Sequence, residues 1–249
     1  MLRKGLILIF SLVAAISLRA HAYEFSPIVA QFAPNGPGSA RTFVVSNSQS
    51  QPVALQLEMF SRSADENGKE VRTPEFDNFI VTPPQLVLAP GQSQSVRVQW
   101  VGDPSPAVEK AYRLIVSQLP IPYKRETRGE THVADVKMGI RYEAAVYVVP
   151  PRGGPHAEVI SSQATTNDAG EKVLRLTVKS SGERRAILQK PSLTVSAGGQ
   201  SATLEGDAVA ALDSKNILAG SQAVFDLPWP DNLPFGPVNT SLETQYMVF

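Results

Sequence analysis

VKMGIRYEAAVYVVP, residues 136–150, reads as a β-strand that changes character along its length. Val136, Met138, Ile140, Tyr142, Ala144, Val146 and Val148 fall two apart, so on a strand they share a face and make one continuous apolar row. In the first half that row alternates with Lys137, Gly139 and Arg141, the pattern of a strand with one solvated face. The second half, AAVYVV, is apolar on both faces and is expected to be buried on both. Gly139 and the β-branched positions disfavour a helix here. Upstream, YRLIVSQLPI (residues 112–121) is another apolar strand, and the polar PYKRETRGETHVAD between the two closes a hairpin. Periodicity leaves two uses for the row open: it fills the core of its own domain, or it is offered to another protein.

The beginning of the chain gives its address. Arg3 and Lys4 precede an apolar run over residues 5–18 and then Ala20-His21-Ala22, which together make a secretory signal peptide cleaved after Ala22. The run is too short for a membrane span, and no later segment is long and apolar enough to supply one. Three of the 23 basic residues lie in the signal, so the mature chain carries 20 basic against 23 acidic residues, a formal charge of −3. That balance gives no argument for nucleic acid or an anionic membrane as partner. Cysteine is absent, so packing alone must hold the fold in a compartment that permits disulfides.

Short strands separated by turns recur through the mature chain. Candidates are residues 24–32, 40–48, 53–62, 79–82 and 86–88, then Val96, Val98 and Trp100 in alternation. Asn67-Gly68 and Pro90-Gly91 mark turns between them. Pro150-Pro151-Arg152-Gly153-Gly154-Pro155 is the densest Pro/Gly cluster and sets a domain boundary, with residues 23–150 before it and 151–249 after it. Beyond it, residues 157–165, 173–178, 193–195, 208–212, 223–227 and 244–249 are the strand candidates. No helix-length amphipathic segment intervenes, so the expected fold is all-β, two β-sandwiches.

Catalytic chemistry has little to work with. After signal removal only His132 and His156 remain, and neither has the spacing of a metal site or a companion nucleophile. Gly153 and Gly154 lack the Lys and Ser/Thr of a phosphate loop. Lys124, Arg125 and Arg128 are interleaved with Glu126 and Glu130, the composition of a solvated loop. The expectation is a binding protein with no enzyme activity, no cofactor and no metal.

Several stretches in order across residues 25–150 resemble the periplasmic pilus chaperones of the chaperone–usher pathway, the PapD-like family. They are SARTFVVSNSQSQPVALQL, the TPP at residues 82–84, LAPGQSQSVRV, YRLIVSQLP and the terminal VKMGIRYEAAVYVVP. The resemblance implies a boomerang of two immunoglobulin-like domains that binds pilin subunits in the periplasm and passes them to an outer-membrane usher. A pilin lacks its last strand, and a chaperone of this kind lends its own. On that reading Val136, Met138 and Ile140, with Tyr142 next in the row, are the lent apolar side chains. Self-association of the free form through the same strand stays open. The alternative is a structural or adhesive immunoglobulin-like secreted protein.

The family anchors the subunit's terminal carboxylate with an arginine on the first strand and a lysine on the last strand of domain one. Here Ala145 stands at the lysine position, and SPIVAQF contains no arginine, which points to a divergent, archaic branch. The antiparallel partner of the last strand must start near the linker, which puts Arg113 at the cleft end of that partner. Arg113 is the leading candidate for the missing cation, against the alternative of an ordinary strand-end arginine with its head in solvent. Arg141 and Arg97 are further candidates.

Overall fold

The computed structural model describes residues 23–120 and 139–248. The strands of the first half are β1 (Tyr23–Ser26), β2 (Val29–Phe32), β3 (Ala40–Asn47), β4 (Val53–Ala64), β5 (Glu70–Pro74), β6 (Phe79–Thr82), β7 (Gln85–Leu88), β8 (Ser93–Trp100), β9 (Lys110–Leu119) and β10 (Arg141–Val148). They form two sheets, ordered β1-β3-β8-β6 and β2-β10-β9-β4-β5, with β7 also on β4. The single strand expected over residues 24–32 is split. β1 pairs antiparallel with β3, and β2 crosses to the other sheet and runs parallel to β10. Pro27 lies between them and has no N–H to continue a ladder, so the sheet change falls there.

Alternation supplies the inner faces. Phe43, Val45, Val96, Val98 and Trp100 meet Leu55, Leu57, Met59, Leu114, Val116, Ala144, Val146 and Val148. A fully buried leucine such as Leu114 contributes about 2 kcal/mol by leaving water. At one end Phe79 packs edge-on against Trp100 and Tyr112, with ring centroids 5.1 and 4.9 Å away. Asn67-Gly68 turns β4 into β5 with Gly68 at φ 83°, the conformation that glycine adopts without strain.

The second half comprises β11 (Ala157–Thr166), β12 (Lys172–Ser180), β13 (Ala186–Ala197), β14 (Gln200–Leu204), β15 (Asn216–Ile217), β16 (Gln222–Pro228) and β17 (Val238–Tyr246). One sheet runs β11-β12-β16; in the other, β13 pairs with β14, β15 and β17. Leu174, Leu176, Val178, Leu188, Leu193, Val195, Phe225, Leu227 and Trp229 fill the space between. The strand expected over residues 208–212 is instead a 3-10 turn, Gly206–Val209, followed by further turns. Val209 and Leu212 are both buried, and their separation of three residues places them on the same side of a helical turn. In this half β14 and β15 are absent from the sequence reading, and β17 begins six residues before the expected 244. Among the described residues, no helix is long and apolar enough to cross a membrane.

Candidate functional site: the open edge of β10 and an arginine cluster

β9 borders β10 along its whole length, from Ser117 opposite Arg141 to Lys110 opposite Val148. On the other edge β2 covers only residues 145–148. The Ala145 N–H donates to the Ile28 carbonyl on that side at 2.8 Å. Residues two apart on a strand aim their backbone groups the same way, so the N–H and C=O of Glu143 and Arg141 face this edge as well. Among the described residues no strand lies against them. Side chains follow the expected division: residues 144–148 are all buried, and Ile140 and Tyr142 are partly buried against the first core. Val136 and Met138 lie outside the described residues.

Where β10 starts, Tyr23 holds it in place. This fully buried residue donates its hydroxyl to the carbonyls of Val116 (2.8 Å) and Ile140 (3.0 Å). Its ring meets that of Tyr142 edge-on at 4.8 Å. Burial, and then the neighbouring Tyr142, push the Tyr23 phenol far above its ordinary range, so it remains a donor.

The other face of the sheet carries charge. Arg62 stands directly opposite Arg72 across the β4–β5 hairpin, a placement that repels unless an anion intervenes. Glu70 is that anion. It accepts from Arg62 Nε at 2.6 Å, from Arg72, and from Arg113 in a bidentate pair, Nε at 3.0 Å and Nη2 at 2.7 Å. Arg72 also reaches Glu143 on β10 at 2.7 Å. Burial pushes the Glu70 carboxyl up, but hydrogen bonds from Arg113 and Arg72 and the charge of Arg62 outweigh it, bringing it down from 4.5 to about 2. Arg141 also pairs with Glu143, so four guanidiniums face two carboxylates, leaving two positive charges in excess.

The cluster adjoins the second half of the chain. Arg62 and Glu70 line a cavity together with Asn216 and Leu218. Tyr147 of β10 accepts from Arg62 Nη1 (2.9 Å) and from Asn216 Nδ2 (3.0 Å). The Arg185 guanidinium lies 3.7 Å from the centre of the Tyr147 ring and pairs with Glu109 at 2.8 Å, both side chains almost wholly buried. Of the arginines singled out in the sequence, Arg113 is therefore in the cluster with its head engaged by Glu70, not free in solvent. Arg141 is half exposed and leans on Glu143 at 3.3 Å. Arg97 is exposed on β8, in the other sheet, opposite Thr42 and Thr82.

Residues 33–153 match the family model described as the pili and flagellar-assembly chaperone PapD N-terminal domain. This stretch belongs to the PapD N-terminal domain family. Solved structures of similar fold include the chaperone–tip subunit pre-assembly complex CsuC–CsuE of archaic Csu pili from Acinetobacter baumannii, at TM-score 0.58 and 17% identity over 90% of this chain and 97% of that one. The class 5 fimbriae chaperone CfaA aligns at TM-score 0.56 and 14% identity, covering 91% and 100%. A complex of the SafB chaperone with SafA pilin from Salmonella enterica aligns at 0.52 and 16%, covering 84% and 85%. No curated protein gives a significant match to the sequence.

In this PapD-type domain Ala145, which the resemblance puts at the family's lysine position, is buried against Tyr147 and Leu218 and faces Arg113 in the β9–β10 register. The sequence reading missed Arg62, Arg72, Glu70, Tyr23, Tyr147 and the Glu109–Arg185 pair. One signal was available: closing the Asn67-Gly68 hairpin puts residues 62 and 72 opposite each other, with an acid two residues away.

Proposed function

We propose that this PapD-like protein is a periplasmic chaperone that captures pilin subunits by lending them β10 and delivers them to an outer-membrane usher. In this reading residues 1–22 are the removed signal, residues 23–150 form the capturing domain and residues 151–249 the second domain. The observation that carries it is the half-open edge of β10. Arg141 and Glu143 present backbone groups that no described strand pairs, and in the sequence the apolar row of β10 continues through Ile140, Met138 and Val136. An incomplete sheet completed on that edge gains ladder hydrogen bonds and a row of apolar side chains together. Arg113, assisted by Arg62, is the cation that receives the subunit's terminal carboxylate, because a guanidinium binds a carboxylate through two parallel bonds. The mechanism is stoichiometric binding, with no bond made or broken.

Periplasmic co-expression with candidate pilin subunits tests the reading. The wild type is expected to recover a one-to-one complex. Met138→Asp is expected to lose it while keeping the wild-type melting temperature, since a carboxylate cannot be buried unpaired in an apolar groove. Equal recovery by both proteins would mean that this strand is not lent.

A further inference from the structure

We infer that Glu70 is the chain's own stand-in for an incoming carboxylate, filling the Arg62–Arg72–Arg113 site from within while the protein is free; this rests on the proposed role of Arg113. The geometry of the contact is that of a ligand. Arg113 grips Glu70 through Nε and Nη2, the two-bond fork with which a guanidinium holds the carboxylate at the end of a polypeptide. Both oxygens are engaged, Oε2 by Arg62 as well, so a second carboxylate cannot take the same fork while Glu70 remains.

Glu70 is placed to leave. It is the first residue of β5, an edge strand paired, among the described residues, only with β4, and it lines the cavity shared with Asn216 and Leu218. Rotation of one side chain would uncover the Arg113 fork without breaking the sheet. After that exchange the guanidiniums keep a counter-charge, and Arg72 keeps Glu143. A tethered carboxylate also acts as a filter. Its high effective concentration outcompetes loose carboxylates, and only one delivered along with strand pairing displaces it.

The test uses the full chain and a short acetylated peptide of alternating valine and threonine, ending either in a free carboxylate or in an amide. Glu70→Gln is expected to tighten binding of the carboxylate form by about tenfold, the equivalent of one charge-assisted hydrogen bond that no longer has to be displaced. Binding of the amide form is expected to stay the same, and Arg113→Ala to remove the preference for carboxylate in both backgrounds. If the wild type prefers the carboxylate, Arg113→Ala abolishes that preference, and Glu70→Gln binds no tighter, then Glu70 is a strut for the arginines and the inference falls while the anchor stands. If neither the wild type nor Glu70→Gln distinguishes the two peptides, the anchor falls with it. Should Glu70→Gln fail to fold, Glu70→Asp, one methylene shorter with the charge kept, carries the same comparison and is expected to show a smaller gain.

Discussion

The hydroxyl of Tyr23 donates to the carbonyl of Ile140 across 117 residues of chain, and the same hydroxyl reaches Val116 on the neighbouring strand. One side chain therefore ties β9 to the start of β10. Tyr23→Phe keeps the ring on Tyr142 but removes the one buried O–H that the two carbonyls share, while Ile140 keeps its backbone donor from Gln118, at a cost of about 1–3 kcal/mol. Urea denaturation should show the lower midpoint with an unchanged slope. A loss below about 0.5 kcal/mol would mean that water replaces the hydroxyl.

Ala145 and Arg113 face each other between β10 and β9, and Ala145 is 8% exposed, packed with Tyr147 and Leu218. Ala145→Lys restores the residue type that the family carries there, but it places like charges opposite each other and overfills a packed site. The expected result is a loss of about 1–3 kcal/mol in stability and no rescue of subunit capture in an Arg113→Ala background. A stable, rescued double variant would show that the two cation positions are interchangeable.

Acid should weaken the first half through Glu70. Its folded-state value lies at about 2 against an ordinary 4.5, so the stability it contributes is complete above about 4.5 and is lost as the pH falls toward 2. Glu143, lowered first by its hydrogen bond from Arg72, acts in the same direction. Urea midpoints of the wild type should fall over this window. The gap between the wild type and Glu70→Gln should close as pH drops; a constant gap would place the effect elsewhere.

What could be read from the sequence was what period-two alternation encodes. Val53, Leu55, Leu57 and Met59 are all buried on one face of β4, and residues 144–148 are buried on both faces of β10, as their apolar run implies. Alternation fails where it is weak or where another period fits the same residues. β17 alternates between partly buried and exposed positions with Thr240 and Thr244 among the inner ones, too polar to stand out. Residues 208–212 are apolar in a row, and burial at a spacing of three took precedence over a spacing of two. The charged site was less legible still. Arg62, Glu70, Arg113 and Glu143 come from four strands and meet only through the register of the sheet, which no local pattern states. Arg113 alone could be placed in advance, because hairpin geometry fixes which end of a strand lies near the linker.

β2 does more than complete a sheet. By taking the outer edge of β10 from Ala145 onward, it works as an end stop, and any strand added along that edge can advance no farther than Ala144. On the proposed role, a guest's register would be set by where the track runs out, and a subunit would be held in a reproducible position without any of its side chains being recognised individually.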